Sequence, residues 1–373
     1  MKLHKAIDRR LASQLVLLGF LTVLPVVMIT FNGREAVRAI LAPASNSADG
    51  PAAALEVGEL SATADRPAAT APLHFGVYDP DGVFAPDKAL KLRHIYISWA
   101  AFDPAALAEE LRALEAQDFE ILLTVEPWPA ADVPSPLLTG ILNGEYDRIL
   151  DDLAGVLRRL DGPVYISWGH EMDQDLAVRY PWSNADPAQF VEAYRHVVDR
   201  LRERVDTPLV WIWAGVLKEG SLRYWPGEEY VDLIGMPVYS FPVWDQQTYG
   251  FIRDFRTTFE EKCKVVAELD KPLIITELGV SGSTDFGSFW LHQAFLALED
   301  YPQLVGVIFF YGKDHAGVWG TGVETPDWRV HPATIRGLVD WKCTDLVKTP
   351  EEPARQGLRA VDPPASSSDS QEN

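Results

Sequence analysis

Ile166-Ser-Trp-Gly-His-Glu-Met-Asp173 is the stretch from which the fold is read: an apolar strand that runs straight into a His-Glu pair. A carboxylate beside an apolar run is costly unless something pairs with it or uses it. Pro272-Leu-Ile-Ile-Thr-Glu-Leu-Gly279 has the same form and delivers Glu277. Two glutamates at strand ends point to one cleft and a two-carboxylate chemistry. The rest of the chain then becomes the frame that brings Glu171 and Glu277 together.

Working outward from these two stretches, the same unit repeats: apolar strand, polar loop, amphipathic helix. Strands are expected at His74–Tyr78, His94–Trp99, Glu120–Val125, Val164–Gly169, Leu209–Trp213, Val231–Val238, Leu273–Thr276 and Val305–Phe310. Helical patterns fall at Pro104–Gln117, Tyr146–Leu160, Pro187–Val205, Gly250–Leu269, Phe286–Glu299 and Pro332–Val339. The gaps Asp81–Arg93 and Gly215–Tyr230 are less clearly helical. Several strands are continuous apolar runs, as strands covered on both faces should be. Their number and spacing match an α/β fold of the (β/α)8 TIM-barrel type, expected over residues 73–345. A doubly wound open sheet would carry a Gly-rich phosphate loop after an early strand, and the sequence has none.

The flanks read differently. Lys2, Lys5, Arg9 and Arg10 precede Leu11–Phe31, an uncharged and mostly apolar run long enough to cross a bilayer. Residues 1–31 are expected to be a signal anchor or transmembrane segment, with cleavage near Ala44 as the alternative. Either outcome exports the rest, to the periplasmic face of the inner membrane or, if cleaved, to the outside. Residues 32–72 are Ala/Pro-rich and read as a flexible linker, and residues 346–373 as an acidic disordered tail.

Composition narrows the function. A net charge of −21 argues against nucleic acid and anionic membrane surfaces as partners and fits a neutral substrate. Cys263 and Cys343 have no C-x-x-C spacing, so no zinc site is suggested, and they are as well read as free thiols as a disulfide. Twelve Trp is a high count, divided between core packing and platforms for rings with apolar faces.

In a (β/α)8 barrel the chemistry sits at the C-terminal strand ends. Those positions hold Tyr78, Asp79, Trp99, Glu126, Trp128, His170, Glu171, Trp213, Tyr239, Glu277, Tyr311 and Asp314. Carboxylates with aromatic platforms, and no cofactor motif, suit cleavage of a glycosidic bond. One carboxyl must give a proton to the leaving oxygen while the other, ionised, attacks or stabilises the anomeric carbon. His170-Glu171 lacks the second His of H-E-x-x-H. A metal held by His170, Glu171 and Asp173, or plain salt bridging of both glutamates at the barrel mouth, are the competing readings. Trp99, Trp128 and Trp213 are candidate sugar platforms, with Trp182, Trp319 and Trp328 on loops further out, while Trp168 reads as packing. Asp79, Glu126 and Asp314 read as partners for arginine, with binding of sugar hydroxyls as the alternative.

Trp168-Gly-His-Glu-Met-Asp173 with Tyr180-Pro-Trp182, then Trp225-Pro-Gly-Glu-Glu-Tyr-Val-Asp-Leu-Ile-Gly235, then Ile275-Thr-Glu-Leu-Gly279, resembles glycoside hydrolase family 26. That family contains β-mannanases, β-1,3-xylanases and mixed-linkage glucanases, in a clan of retaining barrels with the acid/base after strand four and the nucleophile after strand seven. The resemblance implies Glu171 as general acid/base and Glu277 as nucleophile. It implies His170 near the cleavage point, Tyr239 orienting the nucleophile, and Tyr311 in place of the Trp that often ends strand eight. Asp173 stands where the family usually has Asn. The expected activity is a retaining endo-β-glycanase acting on a neutral polysaccharide of mannan or β-glucan type, a monomer needing no metal or cofactor. The alternative is a non-hydrolytic glycan-binding or scaffolding component of an exopolysaccharide synthesis or export system, which a membrane tether would favour.

Overall fold

Eight strands pair in parallel in chain order, and the last returns to the first, so the sheet closes on itself. They are β1 (His74–Tyr78), β2 (Leu92–Ser98), β3 (Glu120–Glu126), β4 (Val164–Trp168), β5 (Leu209–Ala214), β6 (Leu233–Ser240), β7 (Leu273–Val280) and β8 (Leu304–Phe310). The computed structural model describes residues 73–174, 179–320 and 322–347. The expected signal anchor and linker lie outside the described residues, as does the tail apart from the end of the last helix. Among the described residues, no helix is long and apolar enough to cross a membrane.

The helices start where the sequence offers a cap. Asp103 accepts the Ala105 N–H at 2.8 Å to open α1 (Pro104–Glu115), with Pro104 in the first turn, where its missing N–H costs nothing. Two short helices follow β3, α2 (Leu137–Leu142) and α3 (Asp147–Leu157). Asp186 and Pro187 repeat the cap before α4 (Pro187–Arg202), where the Gln189 N–H meets the carboxylate at 2.9 Å. After β6 come α5 (Pro242–Tyr249) and α6 (Phe255–Val265), and the last two are α7 (Thr284–Ala297) and α8 (Pro332–Val347). The segment after β1 forms turns, and the one after β5 forms two short 3-10 turns, matching the two gaps read as less clearly helical. Neither α2 nor α5 stands out in the sequence, since each is shorter than a helical pattern needs to declare itself.

Alternation along the strands divides the core in two. One set of residues, including Leu92, Leu122, Ile212, Ala214, Ile274 and Ile308, fills the bottom of the barrel interior. The out-of-phase set, including Ile121, Leu123, Trp168, Trp211, Trp213 and Phe309, meets the helix layer in a much larger cluster. Towards the C-terminal end the interior turns polar: His94 bonds Thr124 at 2.7 Å, and above them lie Tyr96 and the two glutamates.

β7 breaks that alternation. Met236 pairs with Ile275 but Pro237 pairs with Glu277, leaving Thr276 as the extra residue of a β-bulge. Pro237, without an N–H, fits this irregular point of a central strand. Ile275 and Leu278 face the helices. Thr276 instead lies against the interior, where its methyl stands 2.9 Å from where a Cβ on Gly235 would be. Without the surplus residue, Glu277 would share the outward phase of Ile275.

Candidate active site

Glu277 is buried, 8% exposed, and both of its carboxylate oxygens are engaged. The Tyr96 hydroxyl donates to Oε1 at 2.6 Å and the Tyr239 hydroxyl to Oε2 at 2.5 Å. Burial holds both phenols well above the ordinary tyrosine pKa, so they stay protonated and can only donate here. Tyr96 is in phase with Leu92 and His94 on β2, and its ring stacks on His94 with centroids 4.3 Å apart. Tyr239 reaches Glu277 by lying against Gly279, where an added Cβ would come within 2.5 Å of the Tyr239 ring. Only glycine permits that approach.

Glu171 is held by other means. It follows β4 on a turn with φ 52°, a left-handed backbone that side chains other than glycine rarely adopt. Gly169, at φ 59°, begins the turn, with the Phe190 ring 3.3 Å from where its Cβ would be. The Glu171 N–H is anchored on the Ala214 carbonyl at 2.8 Å. Its side-chain Oε2 accepts from Gln174 Nε2 at 2.7 Å and lies 4.0 Å from Arg179 Nε. Among the described residues, none bonds Oε1.

The two carboxylates feel each other. Burial and then the Glu171 charge push the Glu277 pKa up to about 7, against the lowering effect of the Tyr239 and Tyr96 hydroxyls. Both oxygens of Glu277 accept from phenols, which favours its ionised form and opposes that rise.

His170 lies beside Tyr96, with centroids 5.8 Å apart, and its Nε2 is 3.2 Å from the Tyr180 hydroxyl. Burial lowers its pKa to about 4, and that of His94 to about 3, so both rings are neutral in the working range. Trp128 sits half-buried at the mouth, its indole N–H on Glu126 at 3.0 Å and its ring edge-on to Tyr180 and Trp182.

Three of the aromatics expected to bind substrate are not in the cleft. Trp99 is 1% exposed, stacks on Tyr146 and donates to the Trp128 carbonyl. Trp213 is fully buried and donates to the Tyr224 carbonyl. Tyr311 is packed edge-on against Phe84 in the helix-facing core. Each is out of phase with the inward residues of its strand, Ser98, Ile212 and Ile308, and so points at the helices. Phe310, in phase with Ile308, is the aromatic that β8 presents inward. It stacks on Tyr78 at 4.9 Å and meets Tyr239 edge-on at 6.1 Å.

Trp168 packs as expected, whereas Trp182 and Trp328 are also buried, with Trp182 donating to the His170 carbonyl. Among the described residues, the three outlying acids form no salt bridge with arginine. Asp79 accepts the Phe84 N–H, Glu126 the Trp128 indole, and Asp314 the indoles of Trp319 and Trp328. Asp173 is turned away from the cleft and ties down the loop after β5, accepting from the Val216 and Leu217 N–H groups at 2.9 and 3.0 Å and from Ser221. It braces Leu217, whose φ is 57°. A metal shared by His170, Glu171 and Asp173 is therefore not what these side chains build. Among the described residues, no group of three or more His, Cys, Asp or Glu could hold one. Cys263 and Cys343 are both free.

Tyr96, Gln174, Arg179 and Phe310 are the site residues that sequence reading missed. Parity along β2 and β8 was the available signal for Tyr96 and Phe310. Gln174 and Arg179 sit on an irregular loop, where no period applies. A cavity of about 770 Å³ opens from Glu171 and Tyr239 across the loops after β4, β5, β6 and β8, a size typical of small-ligand clefts.

Comparison with known proteins bears on this site. The model of "Glycosyl hydrolase family 26" matches residues 137–290, which include Glu171 and Glu277. Endoglucanase H of Acetivibrio thermocellus is 22% identical over 258 residues, 65% of this chain and 26% of that protein. A β-1,3-xylanase of a Vibrio species is 30% identical over 106 residues, 27% of this chain and 22% of the relative. The chain thus spans about a quarter of the length of these curated relatives. Among solved structures, a family 26 β-mannanase from Bacteroides ovatus superposes with a TM-score of 0.51 at 16% identity, covering 75% of this chain and 89% of that one. At that identity the likeness speaks for the barrel alone.

Proposed function

We propose that this chain, which belongs to glycosyl hydrolase family 26, is a retaining endo-β-glycanase of a neutral polysaccharide, mannan or β-glucan in type. The observation that carries this reading is the Glu277 carboxylate, held on both oxygens by Tyr96 and Tyr239 and repelled by Glu171 across the cleft.

In the first step a Glu277 oxygen attacks the anomeric carbon. The bond from that carbon to the leaving oxygen breaks, and its electron pair takes the proton of Glu171. The two phenols fix the direction of attack, and the covalent ester replaces the carboxylate charge they had stabilised. In the second step Glu171, now ionised, takes a proton from water as the water oxygen attacks the same carbon. The ester bond returns its electrons to Glu277, and Glu171 is protonated again, so the site is restored. Two inversions leave the configuration retained.

The experiment is hydrolysis of mannan, mixed-linkage glucan, cellulose and β-1,3-xylan by the wild-type protein and by Glu277→Ala, with the anomer of the fresh product followed by NMR. Release of the β-anomer, lost in the variant, is expected. Release of the α-anomer sinks the double displacement. A Glu277→Ala protein that keeps its biological role would favour the scaffolding alternative. We further propose export by the run Leu11–Phe31, which fractionation of cells would test, a purely cytoplasmic protein being the contrary result.

A further inference from the structure

Lys262 is a charged group beside the cleft that bond cleavage, as drawn above, does not use. It belongs to α6, is half-buried, and lines the cavity together with Glu171, Val216 and Leu217. Burial pushes its pKa down to about 8, and the charges of Asp173 and then Glu171 act against that fall. An enclosed ammonium is costly unless something nearby needs its charge. The neighbouring cation, Arg253, already has carboxylates of its own, Asp245 at 3.1 Å and Glu261 at 3.3 Å. Lys262 is turned instead to the loops after β4 and β5.

Those two loops are tied together at the point Lys262 reaches. Asp173 is 3% exposed and accepts from the Val216 and Leu217 N–H groups and from the Ser221 hydroxyl. The Val216 carbonyl accepts from Lys262 Nζ. The peptide bond joining Val216 to Leu217 is thus gripped at both ends of its dipole, its N–H by a carboxylate and its carbonyl by an ammonium. It leads into the left-handed Leu217, a backbone that needs holding. Gly215 leaves the room for this, since a Cβ there would come within 3.0 Å of the Asp173 carboxylate. One residue earlier, the Ala214 carbonyl accepts the Glu171 N–H at 2.8 Å. The turn carrying Glu171 is therefore fastened twice to the loop after β5, once by its own N–H and once through Asp173.

We propose that Lys262 is a positioning residue for the acid/base: its ammonium balances the buried Asp173 and clamps the peptide bond after Val216, so that the strained turn carrying Glu171 keeps its aim. This rests on the glycanase reading above, in which Glu171 hands a proton to the leaving oxygen. Lys262 acts through Asp173 and Val216 and not on the sugar. Glu277 is mounted on another strand with its own two phenols, so loss of the clamp should harm proton delivery and spare nucleophilic attack.

The test is kcat/KM for wild type, Lys262→Met, Asp173→Asn and the double variant, each on an oligosaccharide and on a dinitrophenyl glycoside. Lys262→Met should lose about 10-fold on the oligosaccharide, whose leaving group needs the proton, and about 2-fold or less on the dinitrophenyl glycoside, whose leaving group does not. On the oligosaccharide the double variant should lose less than the product of the two single losses, because each single change leaves one charge unbalanced. Equal losses on both substrates, as a merely structural lysine would give, overturn the proposal, and so do losses that simply multiply. Should Lys262→Met fail to fold, the double variant decides. A folded double variant with the same split between substrates supports the clamp, and one without the split, or one that also fails to fold, overturns it. Should the wild type hydrolyse nothing, the glycanase reading falls separately. Hydrogen exchange then decides the clamp: faster exchange at the Glu171 and Leu217 amides in Lys262→Met supports it, and unchanged exchange overturns it.

Discussion

Glu171 and Glu277 are the same residue type at the same end of the same barrel, yet they are mounted in opposite ways. Glu277 belongs to a strand, set inward by a bulge, with both oxygens gripped by phenols. Glu171 hangs from a left-handed turn, with one oxygen bound by Gln174 and the other without a partner among the described residues. A nucleophile must hit one carbon along one line, so rigidity serves it. An acid that becomes a base within one turnover must hand a proton out and take one back, so it needs an open oxygen. Under the proposed double displacement, the difference in mounting matches a difference in task.

The sharpest way to break the comparison is to remove each side chain. Glu277→Ala should cost at least about 10⁴-fold in kcat on any substrate, because no covalent step remains. Glu171→Ala should cost about 10²–10⁴-fold on a polysaccharide, yet leave the first step largely intact on a dinitrophenyl glycoside, whose leaving group needs no proton. Burst kinetics on that substrate separate the two steps. Equal losses for both variants on both substrates would erase the distinction.

Tyr96→Phe and Tyr239→Phe each delete one charge-assisted hydrogen bond and should cost about 10–100-fold in kcat/KM. They should also move the pH profile. The proposed mechanism needs Glu277 ionised, so kcat/KM should fall as pH drops through about 7 in the wild type. Losing a donor to the carboxylate raises that pKa further and shifts the acid limb to higher pH. An unmoved limb would mean the phenols do not hold the charge.

Gly279→Ala is predicted to act through Tyr239. The new methyl collides with its ring and cannot be relieved by a flexible side chain end. The variant should lose about 1–3 kcal/mol of stability and resemble Tyr239→Phe in activity. Normal activity with lowered stability would separate packing from nucleophile orientation.

The last effect is on stability alone. Folding raises the Glu277 pKa from 4.5 to about 7, so the folded protein binds more protons than the unfolded chain between those values. Stability therefore falls as pH rises through that window. Glu277→Gln should be more stable than wild type by ~2–3 kcal/mol above pH 7 and no more stable below 4.5. Paired melts at pH 4 and pH 8 check the sign.

Most of the barrel was legible because its signals are long: eight apolar runs and six helical periods recur in order. Residues at strand ends were harder, since a strand end names two neighbours that face opposite ways. Tyr311 and Phe310 differ by one position, and only the phase set by Ile308 tells which looks into the cleft. Trp99 and Trp213 fail by the same rule, while Trp128, two beyond Glu126, keeps the inward phase. Glu277 would have failed it too, because Ile275 faces the helices, and a bulge at Thr276 has no periodic signature. Pro237 in the facing strand was the one hint. Asp173 misled differently: beside a His-Glu pair it looks like chemistry, and its work is to hold the loop containing Leu217.

His94 and His170 have a consequence for inhibitors. Stripped of charge by burial, these imidazoles bring no cation to the floor beneath Glu277. A neutral pyranose gains little from such a floor, whereas a ring turning positive at its anomeric carbon meets a carboxylate and dipoles. A protonated iminosugar, which carries that charge permanently, should bind far more tightly than the sugar it imitates.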